Sequence, residues 1–153
     1  MLIEKRLEDL GITLPQVPNP VGTYVPAVQM GNLLFLGGQG PLLPSGENAL
    51  GKLGDGVTVA EGYDRARLTG LYLIAVMKET LGDLDRVKRI GKVLGMVNCV
   101  PSFGDTPGVI NGCSDLFLEV FGEKGRHARS SVGMSTLPGD MTVEIECIVE
   151  VEA

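Results

Sequence analysis

Two residues that could do chemistry, an arginine and a glutamate, lie near the end of the sequence. Arg129 falls in a short predicted strand, Ala128–Gly133, and Glu144 falls in an alternating run that begins at Met141. Pro138-Gly139, between them, fits the central positions of a type II turn, where proline presets φ and glycine accepts a positive φ. The pattern predicts a hairpin that brings the Arg129 guanidinium and the Glu144 carboxylate into one neighbourhood.

The chemistry of this pair suits a small organic acid. An arginine holds a carboxylate through two parallel hydrogen bonds, and a nearby glutamate positions water and transfers protons. Each residue also has a plainer explanation. Arg129 could be an exposed or salt-bridged arginine at a strand start, and Glu144 shares its strand face with Glu146, Glu150 and Glu152. Such a row of acids is typical of a solvated strand face that discourages edge pairing.

The same segments resemble the C-terminal signature of the RidA family, the reactive-intermediate (enamine/imine) deaminases also called YjgF proteins. That signature is Arg-Ser-x-Val, here from Arg129, then Leu-Pro-x-Asp from Leu137 and Val-Glu-Ile-Glu from Val143. Similar matches upstream are Pro20–Ala27, Gly31–Phe35 and Gly38–Pro41. The matches keep the family order from about residue 19 to the end. The ordered set is more specific than any one of its motifs.

The resemblance implies hydrolysis of a small 2-imino or enamine acid to a 2-keto acid and ammonium. In that reaction Arg129 would hold the substrate carboxylate and Glu144 would align an attacking water. The other substrate-binding positions that it implies are Tyr24, Gly38, Asn111 and Ser131. We expect neither a metal nor an organic cofactor, because the imine carbon is already electrophilic.

Two positions depart from the family pattern. Gly37 stands where the deaminase pocket has a serine, and Ser131 stands where many members have a cysteine. A second hypothesis is therefore a non-catalytic trimer that senses or carries a small carboxylate. Plainer roles also stay open for Tyr24, as an interface packing residue, and for Asn111, as a helix residue bonded to local backbone. His127 is interpreted as a solvated loop histidine and not as a general base.

The order of predicted elements is ββαβαββ after an N-terminal helix, in a single domain spanning residues 1–153. Residues 1–18 form a helical extension and connector. This is an α+β plan with both long helices packed on one face of a mixed sheet. The apolar residues on the opposite face need a partner subunit to cover them. The resemblance implies a chorismate-mutase-like fold and a homotrimer with ligand clefts between subunits.

Local signals place the two long helices. Thr58 and Glu61 have the spacing of a capping box, and Gly82 ends the apolar stripe that follows them. Thr106-Pro107 is predicted to start the second long helix, as a cap followed by a first-turn proline. Two earlier strands are predicted to join at a tight turn at Gly31-Asn32.

Composition excludes several functional classes. The 153 residues are 44% hydrophobic and 21% charged, with a formal net charge of −6, so we expect no nucleic-acid partner. We find no membrane-spanning run and no signal-peptide plan, and we expect a cytoplasmic protein without a membrane partner. The three cysteines and the single His127 have no metal-site or disulfide spacing, so we expect reduced thiols and no metal.

Overall fold

A computed structural model describes residues 2–153 of the chain. Its α-helices are α1 (Leu2–Asp9), α2 (Val59–Leu81) and α3 (Thr106–Phe121). Its strands are β1 (Ala27–Met30), β2 (Leu33–Gln39), β3 (Lys52–Leu53), β4 (Gly56–Val57), β5 (Val87–Asn98), β6 (Ala128–Met134) and β7 (Val143–Val151). Short 3₁₀ turns occupy Leu84–Arg86, Gly122–Gly125 and Pro138–Asp140. The predicted order of the long elements is confirmed, and the short strands β3 and β4 and the 3₁₀ turns lie between them.

Five strands form one mixed sheet in the order β1-β2-β7-β5-β6. Only β5 and β6 run parallel, because α3 connects them as a crossover, whereas the other pairs are antiparallel. The strands β3 and β4 form a separate two-residue parallel pair. Alternation along β7 buries Val143, Ile145 and the apolar residues that follow at every second position. This face packs against α2 and α3 in one hydrophobic core.

The capping prediction for α2 is confirmed, and that for α3 is corrected. Thr58 Oγ1 accepts from Glu61 N at 3.2 Å, and Glu61 Oε2 accepts from Thr58 N at 3.1 Å. In α3 the cap is Asp105, whose Oδ1 accepts from Gly108 N at 3.0 Å. Thr106 lies inside the helix instead, and its hydroxyl donates to the Ser131 carbonyl at 3.0 Å. This hydrogen bond fixes the start of α3 to β6.

The helices α2 and α3 approach each other closely because glycines lie at their contact. A methyl group at Gly112 would overlap the carbonyl of Tyr63 in α2. At Gly70 a methyl group would lie 3.0 Å from Leu116 Cδ2 and 3.1 Å from Cys113 Sγ, which are side-chain atoms. The contact at Gly112 is therefore between backbones, and this position leaves no room for a side chain.

The predicted hairpin of β6 and β7 is wrong. The turn itself forms, since Asp140 N donates to the Leu137 carbonyl at 3.0 Å and Gly139 has a φ of 60°. However, β5 lies between β6 and β7 and pairs with both. Period-two alternation assigns a face to each strand but does not identify its neighbour, and the pairing with β5 decides the sheet order. As a result β6 is an edge strand.

The sheet face opposite the helices carries exposed apolar side chains. Val28, Phe35 and Val132 are 48%, 38% and 39% exposed. The paired residues Val28 and Phe35 lie beside each other on β1 and β2. Within residues 2–153, no helix has the length and apolarity that crossing a membrane requires.

Candidate functional site

Arg129 lies on the edge strand β6, and its side chain reaches the helix face of the sheet. Its Nη1 donates to Asn111 Oδ1 at 2.8 Å and to Ser114 Oγ at 3.1 Å, and both acceptors belong to α3. Within residues 2–153, Nη2 and Nε have no hydrogen-bond partner. One edge of the guanidinium is thus free, and two N–H groups on one edge are what bidentate recognition of a carboxylate requires.

Ser131 follows Arg129 by two residues, so its side chain points to the same side of β6. Its Oγ is buried and has no hydrogen-bond partner in the described part of the chain. Its carbonyl accepts from Thr106, as described above. A buried hydroxyl without a partner is destabilising. The Ser131 hydroxyl is therefore a polar atom, close to Arg129 in sequence and on its face, that a ligand could satisfy.

Glu144 lies on the opposite face of the sheet, in a cavity of about 610 Å³. Tyr24 and Gly38, two further predicted site residues, line the same cavity. Tyr24 is 58% exposed at its mouth. The other walls come from three short stretches: residues 18–21, the loop between Gln39 and Asn48, and the turn before β7. The fold thus brings three of the predicted site residues together.

A β-bulge in β2 makes room for the Glu144 carboxylate. Leu36 pairs with Cys147 and Gln39 pairs with Ile145, so two residues of β2 oppose a single residue of β7. A Cβ at Gly38 would lie 2.8 Å from both Cγ and Cδ of Glu144, whereas a Cβ at Gly37 would meet only the Pro26 carbonyl, at 3.7 Å. Only glycine at position 38 is compatible with the observed Glu144 side chain.

The electrostatic environment raises the pKa of Glu144 above its usual value. Burial is the larger cause, because it penalises the charged form, and the negative charge of Glu146 on the same strand face adds to it. No ion pair in residues 2–153 involves Glu144. A carboxylate with a raised pKa is a stronger base than an exposed one.

Arg129 and Glu144 do not meet within one chain. Arg129 is in register with Val93, which pairs with Cys147, and these two are buried on the helix face. Glu144 pairs with Met96, three positions further along β5, and points to the other face. Strand spacing and rise put the Cα atoms of Arg129 and Glu144 roughly 14 Å apart. One chain therefore carries two separate candidate half-sites, one around Arg129 and one around Glu144.

Sequence reasoning missed Ser114 and misjudged His127. His127 is partly buried, its ring packs edge-on against Phe117 with centroids 6.0 Å apart, and its Nε2 lies 2.9 Å from Ser114 Oγ. It is therefore not a solvated loop histidine. Ser114 was detectable in principle, because it follows Asn111 by three residues and such residues share a helix face.

Metal-ligand geometry occurs away from both half-sites. Within residues 2–153, the one acidic cluster with suitable spacing is Glu4, Asp83 and Asp85, near α1. Glu4 Oε1 in this cluster already accepts from Lys78 Nζ at 2.6 Å. Cys99, Cys113 and Cys147 are unpaired and buried, and burial raises the pKa of the Cys113 thiol.

Comparison with known proteins identifies the family to which this fold belongs. Residues 4–151 match the family described as "YjgF/chorismate_mutase-like, putative endoribonuclease". The chain belongs to this YjgF/RidA family, with the mixed-sheet α+β fold of its class. The resemblance stated from the sequence motifs is confirmed.

Individual relatives cover nearly the whole chain. Protein TCP17 of Trypanosoma cruzi is 44% identical over 149 residues, covering 97% of this chain and 93% of the relative. A crystal structure of Atu1372, a protein of unknown function from Agrobacterium tumefaciens, is 43% identical with a TM-score of 0.90, covering 99% of this chain and 93% of that one. A 2-iminobutanoate/2-iminopropanoate deaminase of Dermatophagoides farinae is 29% identical, with 92% and 95% covered.

Proposed function

We propose that this protein hydrolyses small 2-imino or enamine acids to 2-keto acids and ammonium. The observation that carries the proposal is the state of Arg129, which is held through Nη1 while its Nε and Nη2 edge is free. The deaminase relative from Dermatophagoides farinae supports the reaction class. The cavity around Glu144 supplies a carboxylate with a raised pKa that can act on water.

The reaction has a simple balance of atoms. The free guanidinium edge of Arg129 binds the substrate carboxylate and orients the adjacent C=N bond. Glu144 accepts a proton from water as the water oxygen bonds to the imine carbon, and the C=N electron pair moves to nitrogen. Glu144 then returns the proton to nitrogen. In the collapse of this carbinolamine the hydroxyl proton passes to nitrogen, the C=O bond forms and the C–N bond breaks, which releases the 2-keto acid and ammonia; the ammonia takes up a proton from water to become ammonium. The substrate's own electrophilic carbon makes a cofactor unnecessary.

The complete site in this proposal lies between subunits of a homotrimer. Arg129 is on the edge strand β6, where a neighbouring copy can approach it, and Glu144 lines a cavity on the other face. The exposed apolar side chains Val28, Phe35 and Val132 give that face a reason to be covered by another copy. A cyclic assembly repeats one heterologous contact and so produces equivalent clefts.

The reaction is tested by generating 2-iminobutanoate from threonine and following its decay with and without protein. We expect acceleration that Arg129→Ala and Glu144→Gln each abolish, because each removes one half of the cleft. An equal rate for Arg129→Ala and the unmodified protein would refute the proposal.

A mixing experiment tests whether the cleft is shared. Arg129→Ala and Glu144→Gln chains are refolded together in equal amounts. If each cleft takes its arginine from one copy and its glutamate from another, random assembly restores about a quarter of the unmodified activity. Sites contained within single chains would stay inactive in every mixture. Each variant refolded alone is the control.

A second candidate is a non-catalytic trimer that binds a small carboxylate. Gly37 favours it, because no hydroxyl is available where the deaminases have a serine. Measurable binding of 2-ketobutyrate by calorimetry without accelerated imine decay would select this candidate. The net charge of −6 disfavours an endoribonuclease. We expect no RNA-cleaving activity that copurifies with the trimer.

A further inference from the structure

Arg129 is the end of a hydrogen-bonded chain that leads to the polypeptide backbone. Its Nη1 lies 3.1 Å from Ser114 Oγ, which lies 2.9 Å from His127 Nε2. The other ring nitrogen, Nδ1, is 2.6 Å from the Gly125 carbonyl. Gly125 is buried, and its backbone packs against Phe117 of α3. The series of hydrogen bonds therefore ends at a carbonyl of the buried backbone.

The chemistry of these groups sets the direction of the two outer hydrogen bonds. A guanidinium only donates and a carbonyl only accepts, so Ser114 Oγ accepts from Arg129 and His127 Nδ1 donates to Gly125. In a neutral His127 that is protonated on Nδ1, Nε2 is an acceptor and takes the one hydroxyl proton of Ser114. The pKa of His127 is lowered, because burial and the positive charge of Arg129 together outweigh the hydrogen bond to the Gly125 carbonyl, which raises it. The nearby cavity side chains, Arg89 and Arg126, are also cationic. The neutral Nδ1–H tautomer therefore suits its surroundings.

The arrangement restrains Arg129 without using the groups that a ligand needs. Asn111 and Ser114 are three residues apart on α3, so both face Nη1 from the same side of the helix. A free arginine side chain loses rotamer entropy when it becomes ordered. Restraint in the unliganded protein removes part of this cost from ligand binding.

We propose that Ser114 and His127 are positioning residues that hold the Arg129 guanidinium with its Nε and Nη2 edge facing the ligand. Neither residue touches the substrate. Ser114 acts directly on Arg129, and His127 acts through Ser114 by fixing the direction of its hydroxyl. The inference rests on the proposed function, because it assumes that Arg129 binds a carboxylate.

The first experiment measures Arg129 itself and is independent of any activity. In ¹⁵N NMR spectra, the guanidinium signals of Arg129 are assigned by their loss in Arg129→Ala. We expect restricted rotation in the unmodified protein, fast rotation in Ser114→Ala and His127→Phe, and recovery in Ser114→Thr, which keeps the hydroxyl. The His127→Phe ring retains the packing against Phe117. Unchanged Arg129 dynamics in both Ser114→Ala and His127→Phe would overturn the proposal.

The second experiment is a double-mutant cycle with 2-ketobutyrate as the probe. We expect Ser114→Ala to raise Kd, and KM for the imine, about five- to tenfold with kcat nearly unchanged. In an Arg129→Ala background the same substitution should change the residual Kd by less than about twofold. An equal loss in both backgrounds would show that Ser114 does not act through Arg129.

The control variant is Ser130→Ala, next to Arg129 in sequence. The Ser130 hydroxyl accepts from Lys92 Nζ at 2.8 Å and lines a cavity on the opposite sheet face. We expect its Kd to match that of the unmodified protein. If Arg129→Ala leaves both Kd and imine decay unchanged, the proposed function fails. If Arg129→Ala weakens binding and abolishes the accelerated imine decay, and Ser114→Ala changes neither Kd nor the Arg129 NMR signals, only the positioning role fails.

Discussion

The contact between Gly38 and Glu144 allows a test of the proposed catalytic carboxylate that leaves its charge intact. A Cβ at Gly38 would lie 2.8 Å from Cγ and Cδ of Glu144, whereas ordinary contacts begin at 3.4 Å. Gly38→Ala must therefore displace the Glu144 side chain by about 0.6 Å or rotate it. Positioning errors of this size exceed the tolerance of a catalytic group, which is about 0.5 Å.

The expected result is a loss of turnover with a stable fold. We expect kcat for 2-iminobutanoate to fall about 10- to 100-fold in Gly38→Ala. KM should change little, because the carboxylate anchor at Arg129 lies on another element. The overlap involves a flexible side chain, so the free energy of unfolding should change by no more than about 1 kcal/mol.

Gly37→Ala is the matched control in the same bulge. Its Cβ meets only the Pro26 carbonyl, at 3.7 Å, and Gly37 does not have a positive φ. We expect its kcat to lie within about twofold of the unmodified value. Steady-state assays and urea unfolding of both variants complete the comparison. Equal activity of Gly38→Ala and Gly37→Ala would show that the position of Glu144 does not control the reaction.

Three further predictions concern charge, packing and the pocket. Because the pKa of Glu144 is raised, its contribution to stability is present below the ordinary value of 4.5 and is lost as pH rises through the raised value. Glu144→Gln should therefore increase Tm near pH 7 by about 2 °C, a modest figure because the group is partly exposed. At about pH 3.5 the substitution should leave Tm unchanged, and scanning calorimetry at the two pH values measures both effects. An equal increase at both pH values would contradict this assignment. In urea titrations, Gly112→Ala should lower the free energy of unfolding by about 3 kcal/mol or more, because it forces the backbones of α2 and α3 apart. Gly70→Ala should lower the free energy of unfolding by less than about 1 kcal/mol, because the contacting side chains can move and alanine favours a helix. Similar losses in the two variants would refute the backbone-contact argument. Gly37→Ser should fit without strain. It should raise kcat/KM for the imine about two- to tenfold in the decay assay. An unchanged kcat/KM would mean that the missing hydroxyl does not limit the reaction.

Local sequence patterns predicted the elements of this fold well. The Thr58 and Glu61 capping box, the glycine turn at Gly31 and the alternation along β7 each depend on residues close in sequence. The insertion of β5 between β6 and β7 depends on contacts between distant segments, which periodicity does not encode. Asp105 and Thr106 are both good caps, and the choice between them follows from the hydrogen bond of Thr106 to β6.

The sequence predicted individual residues for the candidate site, but the hairpin that it predicted to bring Arg129 and Glu144 together is wrong. Motif order identified Arg129 and Glu144, and the structure adds the Asn111 contact of Arg129 and the Gly38 contact of Glu144. Ser114 and His127 belong to no motif, and they join Arg129 only because α3 packs beside β6. Sequence spacing could have indicated Ser114, three residues after Asn111, but it could not find His127.

Because Arg129 and Glu144 lie on opposite faces of one sheet, a correctly folded single chain would not be catalytically active in the proposed arrangement. Dilution below the dissociation constant of the assembly would then abolish the activity while the circular dichroism stayed native, and specific activity would depend on protein concentration. Substitutions on the apolar face of β1 and β2, far from either charged group, would weaken turnover through assembly alone. A screen for inactive variants should consequently recover many changes on a surface that contacts no substrate.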